Sequence, residues 1–236
     1  MKTIVIKLAG VLFLMAVIGN HSIAQSNFEK DFTAFHKKAI MTCGLIKKPA
    51  MHKKAEMLQG LKEFREQFGK LQKKYADNPP EEYSNDPLWK SYFAGFNDII
   101  DALQTRVEKE NYKVAAMNCS RFCMLFDKIH TVNGHLTLTD MMFRWMSQVA
   151  MTTNMVNATN YPGAEGNIKN VREVYKKVLE FKKKEKKTEE FNKEFKNVAG
   201  LYSKWLDALE NNNYQDVSDT FKKFQGTFGK VFLMSL

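Results

Sequence analysis

The chain reads as all-α: two tandem up-down four-helix bundles, produced by an internal duplication and preceded by a signal peptide. Three observations predict this. One stretch is written twice. Asn111-Tyr112 is followed by Ala115, Cys119, Phe122, Phe126 and Ile129, and 102 positions on, Asn213-Tyr214 is followed by Val217, Phe221, Phe224, Phe228 and Val231. The apolar residues are held while the polar ones drift, the pattern of a helix whose buried face is constrained. Second, all five prolines lie between periodic segments, as helices require, because proline removes a hydrogen bond and clashes with the preceding turn. Third, apolar residues recur at three- and four-residue spacing, and the alternation of a β-strand is absent.

Residues 1–24 are set aside first. Lys2 and Lys7 give a positive start, Leu8–Ile18 is an apolar run, and Ser22-Ile23-Ala24 offers small residues before Gln25. This is the pattern of a secretory signal peptide. The run is shorter than the ~20 residues a membrane span needs, and no later window is apolar enough to cross a bilayer. The mature protein is expected to be exported, periplasmic or extracellular, without a transmembrane segment.

The first bundle is expected over 26–133. Helix A starts at Ser26, with Glu29 completing a capping-box pattern, and carries Phe28, Phe32, Phe35, Ala39, Ile40 and Cys43. Lys47–Lys54 is a turn. Helix B carries Leu58, Leu61, Phe64, Phe68 and Leu71 and ends near Tyr75. Asp77–Asp86 is a loop, and Asp86-Pro87 reads as an N-cap followed by proline in the first turn. Helix C carries Trp89, Phe93, Phe96, Ile99, Ile100 and Leu103. Helix D runs from Asn111 to His130, and Gly134 suits a left-handed cap.

The second bundle, 136–236, repeats this order. Helix A′ begins at Thr139 and carries Met142, Trp145, Met146 and Val149. Asn157–Gly166 is expected to be a loop. Helix B′ places Ile168, Val171, Val174, Val178 and Phe181 at a constant offset from the stripe of helix B. Helix C′ carries Phe191, Phe195, Val198, Leu201 and Trp205, and helix D′ follows Asn213. Lys182–Glu190 holds neither Gly nor Pro. Two helices meeting at Thr188 is the preferred reading, since lysines then end one helix and glutamates start the next, as the helix dipole favours. One continuous helix is the rival.

The formal charge of +10 falls by two once Lys2 and Lys7 leave. The remaining lysines are scattered along the helices, which is a solvated surface rather than a nucleic-acid groove, and no nucleic-acid motif is present. No nucleophile elbow, phosphate-binding glycine loop or zinc-protease motif occurs, so the chain is read as non-catalytic.

Three cysteines fall in the mature chain: Cys43, Cys119 and Cys123. Cys119 and Cys123 share the apolar face of helix D with Phe122 and Phe126, so buried packing is the default. In an up-down bundle helices A and D are antiparallel neighbours, which also makes Cys43 and Cys119 a disulfide candidate. A metal set of Cys43, Cys119 and Cys123 is a further reading, with soft copper(I) on thiolates and thioethers as its variant. Helix A′ is dense in methionine, at Met141, Met142, Met146, Met151 and Met155, where core filling is the expected role.

Helices C and D, with their polar turn, Asn-Tyr and aromatic stripe, resemble the C-terminal half of cytochrome c′-like four-helix bundles. That resemblance implies an exported protein with haem on the fourth helix through Cys-x-x-Cys-His. Here Cys123 stands for the first cysteine, Phe126 replaces the second, and Asp127 replaces the histidine. The second copy has Gln225, Phe228 and Gly229. The resemblance therefore points to a haem-less relative, with Phe126 and Phe228 occupying porphyrin volume. Its alternative is haem held by Cys123, or held non-covalently between His36 and His130 as in haem-b bundles. The functional expectation is an exported binding or accessory module for a protein or small-molecule ligand. Electron transfer with haem and metal binding are the alternatives.

Overall fold

The computed structural model describes residues 27–236. The expected signal peptide and the Ser26 cap lie outside the described residues. Among those residues the protein is all-helical in its regular structure, with no strand. Four helices come first: α1 (Asn27–Ile46), α2 (Lys54–Tyr75), α3 (Trp89–Glu108) and α4 (Tyr112–Asn133). Then follow α5 (Leu138–Asn157), a short α6 (Tyr161–Gly166), α7 (Ile168–Lys184), α8 (Glu189–Glu210) and α9 (Tyr214–Ser235). None of these helices is long and apolar enough to cross a membrane.

In the first half α1 packs on α2 and α4, and α3 closes the ring against the same two. The short connections make successive helices antiparallel neighbours. The core is aromatic. Phe35 stacks on Phe64 at 4.9 Å and meets Phe96 and Phe126 edge-on or tilted at 5.1 and 5.5 Å. In the second half α5 packs on α7 and α9, and α8 on α9. Trp145 of α5 fills the centre, with Tyr175, Tyr202, Phe224 and Phe228 around it at 4.8–5.7 Å. The two halves thus have separate hydrophobic cores.

Helix ends follow local chemistry. Asn111 caps α4 by accepting from the Val114 N–H, and Gly134 takes φ 74° at its far end. The α7–α8 break falls at Glu185–Thr188, where Thr188 accepts from the Phe191 N–H. The structure therefore has two helices at this junction, not the continuous one. Three expectations are corrected. The Asn157–Gly166 loop contains α6, because Asn160 caps it and Pro162 is tolerated in a first turn. Helix α5 starts one residue before Thr139, capped by Thr137. Asp86 does not sit next to α3 as its cap. It accepts from the Leu88 N–H and from Asn133 Nδ2, tying the α2–α3 loop to the end of α4.

The halves meet along α4 and α5. Arg144 grips Asp127 with two hydrogen bonds, at 2.6 and 3.2 Å. Ile40 and Cys123 from the first half pack against the second core.

Candidate functional site

The site is built where α4 hands over to α5. Thr137 and Asp140 form a capping box at the start of α5: Asp140 N–H donates to Thr137 Oγ1, and Thr137 N–H donates back to Asp140 Oδ2 at 2.8 Å. That oxygen also receives the Thr137 hydroxyl at 2.7 Å and lies 2.7 Å from His130 Nδ1. A carboxylate whose place is set by a helix cap thereby also orients a histidine on the preceding helix. Both groups are buried: Asp140 is 2% and His130 6% exposed. Burial works against the imidazolium, but the Asp140 carboxylate, supported by Glu29 and Asp127, holds the His130 pKa above its ordinary value.

The other ring nitrogen has no hydrogen-bond partner. His130 Nε2 lies 3.8 Å from Glu29 Oε2, too far for a hydrogen bond. Glu29 is itself placed by the Tyr83 hydroxyl, which donates to Oε1. Tyr83 is fully buried, and burial followed by the nearby Glu29 charge pushes its pKa upward. His130 and Glu29 border a cleft of about 330 Å³ between the halves. Its other walls are Thr33 and His36 of α1, Thr139 of α5, Glu185 and Lys187 before α8, and Ser235 at the end of α9. Lys187 Nζ donates to the Ser235 carbonyl at 2.7 Å and pairs with Glu185 at 2.8 Å.

His36 is a different kind of histidine. Its ring stacks on Phe126 at 3.8 Å, and Nε2 is 3.9 Å from Cys123 Sγ. Burial pulls its pKa down to about 3. Burial also pushes the Cys123 thiol up to about 11. The pair is therefore a neutral imidazole beside a protonated thiol, which lacks the thiolate a reactive cysteine needs.

The remaining cysteines are joined. Cys43 and Cys119 form a disulfide, with Cα atoms 5.8 Å apart. They are also core residues, 6% and 3% exposed, so pairing and packing describe the same side chains. Both thiols are consumed, which leaves Cys123 as the only free cysteine among the described residues. The three-thiolate set is not assembled in this structure, because Cys43 and Cys119 are joined and do not ligate a metal in that state. No group of three His, Cys, Asp or Glu side chains among the described residues is placed to hold a metal. Opening the disulfide by Cys43→Ser should cost about 2–4 kcal/mol, since it closes a loop with a sequence separation of 76. Urea unfolding with and without reductant checks this.

The positions that resemble the haem motif hold other contacts. Phe126 is fully buried among Phe32, Phe35, Phe96 and His36. Asp127 is taken by Arg144, and Cys123 faces His36. His130 is held by Asp140, and His36 lies flat on Phe126. As arranged, these residues do not fit a haem. On α5, Met141 and Met142 lie in the second core, while Met151 and Met155 line an open groove with Met124 of α4.

Sequence reasoning reached His130, His36 and the cysteines but missed Asp140, Glu29 and Tyr83. Asp140 was findable, because Thr137-x-x-Asp140 is a capping-box spacing. Tyr83 ends a single 3-10 turn, Glu81–Tyr83, in the proline-rich α2–α3 connection, with no signal of burial.

The fold and the cleft define a class: an all-α protein of two cores with a buried histidine–carboxylate pair at their seam. Compared with protein-family models, curated proteins and solved structures, the chain has no match.

Proposed function

We propose that this is an exported, non-catalytic binding or accessory protein, two four-helix bundles in tandem that resemble cytochrome c′-like domains without covalent haem. The observation that carries the reading is the use made of the motif positions. Phe126 completes an aromatic core, and Asp127 clamps the second half through Arg144. A site converted to packing and docking supports a binding role for the seam, where the polar cleft lies.

An origin by duplication is part of the proposal. Phe122 and Phe126 in α4 and Phe224 and Phe228 in α9 are all buried. The turns before these helices also agree: Glu110 and Asn212 both take φ 57°. The following residues then donate to Arg106 and Ala208 carbonyls at the same 2.8 Å.

Absorbance of protein purified from its native compartment tests the reading. The expected result is a colourless protein that stays without a Soret band when titrated with haem. Stoichiometric haem in the purified protein would overturn the proposal in favour of electron transfer.

A further inference from the structure

We propose that the cleft between the halves binds a neutral, hydroxyl-bearing small molecule, a monosaccharide or polyol, with one ligand hydroxyl seated between His130 Nε2 and Glu29 Oε2. This rests on the reading of the protein as a binding module and names the chemistry of its ligand.

The first argument is the unspent nitrogen. His130 is buried, its Nδ1 side is committed to Asp140, and its Nε2 has no partner. A buried polar atom left unsatisfied costs about 1–3 kcal/mol. A bound group that completes it recovers that cost. The second argument is the 3.8 Å gap to Glu29 Oε2. An oxygen about 2.8 Å from both atoms bridges that gap with ordinary hydrogen-bond lengths. The bridging group must accept from the imidazolium N–H and donate to the carboxylate. A hydroxyl does both. It also tolerates loss of the histidine proton, since it can then donate to Nε2.

Charge narrows the class. A carboxylate entering here meets Glu29 and Glu185. An ammonium meets the His130 imidazolium and Lys187. Each meets like as well as opposite charge, and because the signs in the cleft balance, with Lys187 already paired to Glu185, neither gains a net partner. A neutral polar molecule avoids both repulsions. Thr33 adds a hydroxyl to the wall, the Thr139 and Ser235 hydroxyls are bonded to each other at 2.9 Å, and Phe32 and Leu236 supply its apolar part. The volume of about 330 Å³ lies at the small end of ligand pockets, roughly 300–1,000 Å³, which suits a single sugar ring.

The test is an NMR titration of the full mature chain, reading the His130 imidazole resonances. Probes are glucose, galactose, myo-inositol and glycerol, with acetate as the anionic and glycine as the zwitterionic counterpart. Saturable shifts at His130 are expected with at least one ring compound or glycerol, and none with acetate or glycine. Sugar binding without glycerol binding assigns a ring ligand, and the converse assigns a short polyol. Glu29→Gln should weaken binding at least tenfold by the same resonances, and His130→Gln should do so by titration calorimetry. Arg65→Gln, at an ion pair with Asp101 outside the cleft, should leave it unchanged. Preference for acetate or glycine overturns the inference, as does the absence of any saturable shift, which means the gap holds water only. Neither outcome touches the binding-module reading, which fails separately if the purified protein carries haem.

Discussion

Asp140→Ala should lower the unfolding free energy by about 3–5 kcal/mol, because removing one partner of a buried ion pair leaves the other uncompensated. Asp140 gathers three donors on one oxygen: Thr137 N–H, the Thr137 hydroxyl and His130 Nδ1–H. Its loss frays the start of α5 and strands the imidazolium within a seam that both halves share. Thr137→Ala is the control. It removes the cap hydroxyl, leaves the ion pair, and should cost about 1 kcal/mol. Urea midpoints of the two variants, at constant slope, separate cap from pair. Equal losses would show that the His130–Asp140 pair contributes nothing of its own. The pair also predicts a pH dependence. The His130 pKa is raised above 6.5, so the native state holds its proton more tightly than the unfolded chain. Its contribution is fully present below pH 6.5 and is lost as pH rises through the higher folded value. Asp140→Asn should flatten that alkaline loss.

His36 should produce the opposite slope. Its pKa falls from 6.5 to about 3, so the unfolded chain binds a proton that the native protein refuses. Stability is then complete above pH 6.5 and declines as pH falls towards 3, by at most about 5 kcal/mol at 1.36 kcal/mol per unit. The cause is burial: the ring lies flat on Phe126, against Cys123, with no carboxylate in hydrogen-bonding position. His36→Phe keeps a flat ring there and cannot take up a proton. It should remove most of the acid loss while costing little at neutral pH. Thermal unfolding from pH 4 to 8 measures both histidines together. The protein should be most stable near pH 6.5, with each substitution relieving one flank. An unchanged acid limb in His36→Phe would assign that limb to other groups.

The two histidines show where sequence reasoning stops. Both were legible as candidates, and both lie at one end of the first half as the helix order required. Their chemistry was not legible. One is pulled towards its charged form because a carboxylate from the next half hydrogen-bonds it; the other is held neutral by burial, with no carboxylate in hydrogen-bonding position. That difference depends on which side chains cross the seam. Helical periodicity describes a face, and two histidines on apolar faces look alike. Cys43 and Cys119 were the easier case, since neighbouring antiparallel helices bring their cysteines together by geometry that helix order already implies. Tyr83 was the harder one, since a three-residue 3-10 turn is too short to show a period from which burial can be read.

What the sequence by itself determined is the helical class, the positions of eight long helices, and the apolar stripes that build the two cores. Those follow from proline placement, caps and 3.6-residue spacing, which act within a few turns of chain. Only the tertiary structure decided the seam: Asp127 on Arg144, Asp140 on His130, Cys123 against His36, and the cleft that the two histidines border. The reason is physical. Those contacts join residues on different helices through single charges and hydrogen bonds, and their strength is set by the burial that the assembled fold imposes.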